Sequence, residues 1–318
     1  MRIVHPTQPV IASVIVPLYN AEKFVADALI SILCERDIPL EVIVVNDRCT
    51  DASLEKVVQL GDPRIRVIDN SGKGIAAAMN TGLEVARGDI IMRCDADDLY
   101  PHQRLKDQVR WLLDNPEFGA ICGNYSAIDS KGLLVVQFNC GTYAEEITAE
   151  LQNGVTRTHF CTFAVRAEVL RQLGGFRDYF STGEDIDLQL RLGESNRVWY
   201  DPSIRYQYRL HAASITHTIS SIEREFFDDI ARIYQQQRRL EGKDDIQRGC
   251  PAVPPSSRTA QPYTAAEHIQ NLLIGTACEK YANGDKLDAI MTGLRSAMIQ
   301  PSNLAVWRCL LALALKSS

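Results

Sequence analysis

The sequence predicts an α/β protein: a mixed, mainly parallel sheet flanked by helices, followed by a small C-terminal helical region. Three observations lead there. Apolar, β-branched runs alternate with amphipathic segments through the first half of the chain. The second half carries further short strand-like pieces that no longer alternate cleanly, which fits a mixed sheet better than a second wound half. A stretch at 243–262 holding Gly249, Pro251, Pro254, Pro255, Ser256, Ser257 and Pro262 discourages both helix and strand, and separates all this from a final helical pattern.

In chain order, Ile11 to Val16 and Glu41 to Val45 read as buried strands, with Ile65 to Ile68 and Asp89 to Cys94 after them. Between them Phe24, Val25, Ala28, Leu29, Ile32 and Leu33 recur at helical spacing, as do Leu54, Val57 and Val58, and then Met79, Leu83 and Ala86. A helix is predicted over Gln103 to Leu113, with strands near Ala120 to Cys122, Leu133 to Phe138, Thr162 to Val165, Val198 to Tyr200 and Ile204 to Tyr208. Ile219 to Leu240 reads as a long polar helix that closes the domain. In the tail, Tyr281, Asn283-Gly284-Asp285, Ala289, Leu294, Ala297 and Pro301 are placed like the helix, turn, helix, turn of a tetratricopeptide-type hairpin. One such unit cannot bury its face alone, so it is expected to pack on the α/β domain, on a second copy or on a partner. The expected division is 1–242 for the α/β domain, 243–262 for a linker and 263–318 for the tail.

Composition narrows the function. The 318 residues are 46% apolar and 23% charged, enough to bury a substantial core. The net charge is −6 and the cations are dispersed, which argues against a nucleic-acid binder. No apolar run reaches the about 18 residues of a membrane span, and no signal core follows the N-terminus. The expectation is a cytoplasmic protein, with peripheral attachment at the inner membrane face left open. Nine cysteines without a CxxC pair argue against a disulfide framework and a zinc site, and most are expected to be small buried residues.

Ligands of open α/β sheets bind outside the carboxyl ends of the strands. Three strands end in polar clusters: Pro17-Leu18-Tyr19-Asn20, Asn46-Asp47-Arg48-Cys49-Thr50-Asp51 and Asp95-Ala96-Asp97-Asp98. A ring of acids at one edge is costly without a cation. Asp95 and Asp97, one residue apart in a turn, can face a hard cation held by oxygen, although aspartates also favour turns and helix caps. Asp47 has the same second reading, with Thr50 and Asp51 competing as cap of the following helix. Ser71-Gly72-Lys73-Gly74 lets backbone approach a ligand, and Lys73 there either reaches a phosphate or is solvated. Gly183-Glu184-Asp185 opens an amphipathic helix, where the dipole favours an ionised Asp185 able to take a proton; acids are common in first turns for structural reasons too.

In order and spacing, these segments resemble the inverting family 2 glycosyltransferases, which carry a GT-A fold. The likeness rests on Ser13-Val14-Ile15-Val16-Pro17-Leu18-Tyr19-Asn20-Ala21-Glu22, Val44-Val45-Asn46-Asp47, Asp95-Ala96-Asp97-Asp98, Gly174-Gly175-Phe176, Gly183-Glu184-Asp185-Ile186-Asp187-Leu188 and Tyr208-Arg209-Leu210-His211. It covers residues 11–240. The resemblance implies transfer of a sugar from a nucleoside-diphosphate sugar, a UDP-sugar in the first place, to an acceptor hydroxyl with inversion, in glycan, polysaccharide or glycoconjugate synthesis. It implies Mn²⁺ or Mg²⁺ on Asp97, with Asp95 on the ribose or the metal shell and Ala96 between them at the donor. It implies Asp47 on the base edge, Pro17, Tyr19, Asn20 and Glu22 around the nucleoside, and Lys73 and Asn80 toward the donor. Asp185 is then the base, and His211 lies near the metal or the diphosphate, with His159 and His217 as competitors. Many relatives carry Arg or Asn where this chain has Gly74. Residues 125–182 are expected to shape the acceptor pocket.

Other classes fit less well. A nucleotidyltransferase would carry a Gly-rich, basic loop after the first strand, and a dinucleotide-binding oxidoreductase would carry G-x-G-x-x-G there. A processive synthase would show Q-x-x-R-W. A catalytically silent assembly module remains the non-enzyme alternative, against which the full set of carboxylates speaks.

Overall fold

The computed structural model describes residues 9–211, 221–255 and 264–315. They fall into two compact units: 1–125, 139–208 and 225–254 in the first, and 126–138, 209–224 and 255–318 in the second. This division differs from 1–242, 243–262 and 263–318, because a hairpin and the end of the last strand join the tail's unit.

The first unit opens with β1 (Ala12–Leu18), α1 (Val25–Leu33), β2 (Leu40–Asn46), α2 (Ser53–Gln59), β3 (Ile65–Asp69), α3 (Gly74–Val85), β4 (Ile90–Arg93) and α4 (Arg104–Asp114). In chain order there follow β5 (Ala120–Ile128), which runs from the first unit into the second, β6 (Leu134–Phe138) of the second unit, and then β7 (Glu145–Glu146), α5 (Thr148–Gln152), a 3-10 turn (Phe160–Thr162), β8 (Ala164–Arg166), α6 (Ala167–Gln172), α7 (Glu184–Ser195), β9 (Val198–Arg209) and α8 (Ser221–Glu241). The strands form one sheet in the order β3-β2-β1-β4-β8-β5-β9-β7, with β6 paired to β5. β1 pairs in parallel with β2 and β4, and β2 with β3, so their carboxyl ends share one edge. β8 runs antiparallel to β4 and β5, which makes the sheet mixed.

Burial on both faces explains the continuous apolar runs of β1 and β2. Val14, Val16, Val42 and Val44 pack with Val25, Leu29 and Ile32 of α1 on one face. Ile15, Ile43 and Val45 pack with Ala78, Met79 and Leu83 of α3 on the other. α3 sits close because position 82 is glycine: a Cβ there would lie 2.5 Å from Ile15 Cγ2.

Two expectations change in detail. The two predicted strands at 198–208 are one strand, β9, running through Pro202, whose carbonyl accepts a 2.6 Å hydrogen bond from Asn124 Nδ2. The start of the predicted linker is packed. Asp244 is buried between Arg177 and Arg238, and the Ala252 backbone bonds both Tyr179 Oη and Tyr234 Oη at 2.8 Å.

In the second unit, Asp129 N–H donates to Leu133 O at 2.8 Å and closes the β5–β6 hairpin. Its helices are α9 (Ala265–Ala282), α10 (Lys286–Ile299) and α11 (Leu304–Leu315). Thr264 and Glu267 form a capping box at the start of α9. α11 gives the predicted hairpin a third helix: Val306 and Leu310 pack with Ala297, and a Cβ on Gly293 would lie 2.8 Å from Leu310 Cδ1.

Among the described residues no helix is long and apolar enough to cross a membrane. All nine cysteines are free; only Cys94, Cys122 and Cys161 are fully buried, fewer than expected, and Cys34, Cys250 and Cys278 are exposed.

The turn into β4 offers a test of the close approach at the sheet. A Cβ on Gly88 would stand 2.6 Å from Ser13 N and 2.7 Å from Ala12 C, atoms of β1 that cannot move without disturbing the sheet. Gly88→Ala is expected to lower unfolding stability by about 1–3 kcal/mol in urea denaturation. An unchanged midpoint and slope would contradict this packing.

Candidate active site

β4 is buried along its length and ends in a cation, Arg93, only 4% exposed. A buried guanidinium must be paired. Its Nε donates to Asp95 Oδ1 at 2.7 Å, its Nη2 to Asp95 Oδ2 at 3.1 Å, and its Nη1 to Glu184 Oε1 at 3.1 Å. Burial works against its charge, but the Asp95 carboxylate, with Glu184 adding to it, outweighs that and raises its proton affinity. Tyr206 Oη accepts from Asp95 N at 2.9 Å, Cys161 Sγ lies 3.7 Å from Asp95 Oδ2, and Asp98 N–H closes the turn on Asp95 O at 3.1 Å. Within this turn Ala96 and Asp98 are buried, while Asp95 and Asp97 are half-buried.

Arg93 therefore joins the end of β4 to the start of α7. Gly183 adopts φ 74° before α7, and Glu184, Asp185 and Asp187 occupy its first turn. Glu184 is buried and Asp185 half-buried. Burial, then the neighbouring Asp185, pushes the Glu184 carboxyl up to about 7 against the opposing pull of Arg93.

Two devices set the position of α7. Asp187, fully buried, accepts from Arg191 Nε at 2.8 Å and Arg177 Nη1 at 3.4 Å, and Arg177 and Arg238 also hold Asp244 at 2.6 and 2.5 Å. The Gly174-Gly175-Phe176 turn is clamped by Asn80, whose Nδ2 donates to Phe176 O and whose Oδ1 accepts from Phe176 N, both at 2.8 Å. Gly175 has φ +68°, and a Cβ on it would come within 2.3 Å of Asn80 Oδ1. Asn80, expected toward the donor, thus bonds the Phe176 backbone with both its amide nitrogen and its amide oxygen.

A second cluster forms at the ends of β1 and β2. Asp47 Oδ2 accepts from Gly74 N–H at 2.7 Å and Oδ1 from Arg48 Nη1 at 2.8 Å, and Arg48 also donates to Gly72 O at 2.7 Å. Asp47 thus caps α3, not the helix that directly follows it. Gly74, at φ +83°, offers its N–H in a conformation that a larger residue would strain. Asn20 Oδ1 accepts from Thr50 N at 2.8 Å and Glu22 Oε2 from Ala52 N at 3.1 Å, so both side chains fasten the loop after β1 to the loop after β2. Tyr19 is 60% exposed, Pro17 is half-buried, and Lys73 is exposed at the start of α3.

β1 lies between β2 and β4 in the sheet, so the two clusters stand one strand apart at a common edge. His159 lies beside the first: its Nδ1 accepts from Cys161 N at 3.4 Å, in the turn that reaches Asp95. His211 is half-buried and belongs to the second unit, and His217 lies outside the described residues. Among the described residues no three His, Cys, Asp or Glu side chains gather into a ready metal cage. Both oxygens of Asp95 are engaged by Arg93, and the donor type of the turn, carboxylate oxygen, is the one that suits Mg²⁺ or Mn²⁺.

A parallel edge of acid-ended strands in a mixed sheet of this order is the architecture of a GT-A transferase. The chain belongs to glycosyltransferase family 2: the family profile described as "Glycosyl transferase family 2" matches residues 13–174. It is similar to the putative glycosyltransferase EpsE of Bacillus subtilis, 31% identical over 242 residues that cover 72% of this chain and 82% of that protein. It is similar also to the hyaluronan synthase of Pasteurella multocida, 26% identical over 210 residues, 65% of this chain but 21% of that one. Among solved structures, Staphylococcus aureus TarS 1–349 in complex with UDP-GlcNAc shares the fold at a TM-score of 0.58 and 21% identity, covering 70% of this chain and 66% of that chain. The chain spans only part of these last two proteins.

Sequence reasoning missed Arg93 and Tyr206. A signal for Arg93 existed: a lone cation inside the apolar run Ile90-Ile91-Met92-Arg93-Cys94 demands an acidic partner.

Because the fold disfavours ionised Glu184, the stability tied to its proton is complete below the ordinary value of 4.5 and is lost as pH rises through about 7. That loss is of order 3 kcal/mol. Thermal unfolding followed from pH 5 to pH 8 should show a falling Tm for the wild type and a flatter profile for Glu184→Gln; parallel profiles would contradict the assignment.

Proposed function

We propose that the chain transfers a sugar from a UDP-sugar to an acceptor hydroxyl of a glycan or glycoconjugate by a single inverting displacement, assisted by Mn²⁺ or Mg²⁺. The observation that carries this reading is the meeting of Asp95 and Glu184 on Arg93, which puts the start of α7, and Asp185 with it, beside the Asp95–Asp97 turn. Family membership supports sugar transfer, and the UDP-GlcNAc complex of TarS supports uracil as the donor base.

On this reading the nucleoside takes the ends of β1 and β2. Tyr19 offers an exposed ring and Asp47 a carboxylate edge, while Lys73 and the start of α3 suit the diphosphate. Asn20 and Glu22 act by holding the two loops together. Asp97 is the residue that would hold the cation, through its carboxylate oxygen. When bound, that cation neutralises the leaving diphosphate. Asp95, fixed by Arg93, holds the turn in shape.

Asp185 accepts the proton of the acceptor hydroxyl as its oxygen bonds to the anomeric carbon. The bond from that carbon to the phosphate oxygen breaks, and its electron pair leaves on the diphosphate.

Release of nucleoside diphosphate from a panel of nucleotide-sugars, with and without Mn²⁺, tests the reading. Asp185→Asn is expected to lower kcat by about 10²–10⁴-fold with little change in donor KM, and Asp97→Ala to lose the response to Mn²⁺. Undiminished turnover in both variants would overturn the site. Nucleotide binding without turnover of any donor would favour a silent assembly module.

A further inference from the structure

On the far side of β4 from Asp47, three aromatic rings stand together. Tyr125 comes from β5, His159 from the residue before the 3-10 turn, and Tyr208 from β9. The His159 ring lies 6.1 Å from Tyr125, tilted at 51°, and 6.5 Å from Tyr208, stacked at 28°. All three are half-buried, with the tyrosines packed against the core that lies on one face of the sheet.

Their place relative to the reacting groups is fixed by two short links. The turn that His159 caps carries Cys161, whose Sγ lies 3.7 Å from Asp95 Oδ2. Tyr208 stands two residues beyond Tyr206 on the same strand, hence on the same face, and Tyr206 Oη accepts from Asp95 N at 2.9 Å. In the sheet order β2-β1-β4-β8-β5-β9, Asp47 and Gly74 lie to one side of Asp95 and the three rings to the other.

A pyranose has an apolar C–H face and a polar hydroxyl rim, so a half-buried aromatic surface with polar edges matches it. We propose that Tyr125, His159 and Tyr208 form the seat of the acceptor's terminal sugar ring. The proposal rests on the donor reading above, which assigns the β1 and β2 side to the nucleotide and leaves the β5 and β9 side to the second substrate. Stacking there would hold the ring beside the Asp95 turn while its hydroxyl rim stays open to Asp185.

Saturation-transfer NMR with methyl β-glycosides of glucose, galactose, N-acetylglucosamine and glucuronic acid tests this directly, with and without UDP and Mn²⁺. At least one glycoside should receive saturation, strongest on its ring C–H protons. The signal should fall at least threefold in Tyr208→Leu and in Tyr125→Leu and persist in Tyr208→Phe, which keeps the ring. If no glycoside receives saturation, or the leucine variants keep the full signal, the platform is wrong. UDP affinity measured on the same wild-type sample separates the two readings: loss of UDP binding with glycoside binding intact overturns the donor assignment alone. UDP binding with no ring-dependent glycoside signal overturns the platform alone.

Discussion

The structure of the site hangs on one buried guanidinium. Arg93 bonds both oxygens of Asp95 and one of Glu184, and so ties the fourth strand to a helix 91 positions later in the chain. Breaking a buried pair by removing one partner typically costs about 3–5 kcal/mol, because the remaining charge is stranded. Here the consequence is also geometric. Without Arg93, three acids, Asp95, Glu184 and Asp185, would meet with no cation between them. With it they share one site, and Glu184 sits at the edge of holding a proton near neutral pH.

What surrounds Arg93 fixes the second partner in place. α7 cannot slide, because Asp187 is locked by Arg177 and Arg191 and because the turn before it is clamped by Asn80. The parallel edge is tied together in the same way. Asp47 binds the start of α3, while Asn20 and Glu22 bind the next loop, so the loops after β1 and β2 and the start of α3 form one connected rim. A transfer reaction requires its groups to be held before the substrates arrive.

Much of the fold was legible in the sequence because burial on both faces leaves continuous apolar runs, as in β1 and β2. The candidate site was marked in the sequence by acids that cluster at strand ends, as at Asp47, Asp95 and Asp97. What stayed hidden depends on long-range pairing. Asn80 sits among residues that suit a ligand loop, and nothing local tells that its partner is the Phe176 backbone, 96 positions away. β9 looked like two strands because Pro202 is an ordinary strand breaker, and only its neighbour Asn124 accounts for its carbonyl. The joining of 126–138 to the helical tail is likewise a matter of tertiary contact, not of composition.

On the proposed function, the end of β4 and the start of α7 form a single site for metal-assisted transfer from a nucleotide-sugar. Crystals grown with UDP and Mn²⁺ test it most directly through the anomalous signal of the metal. A manganese peak is expected against the Asp97 carboxylate and the diphosphate, with uracil at the Asp47 loop. Bound UDP with no metal peak at Asp97, or a nucleotide seated away from the β1 and β2 ends, would contradict it.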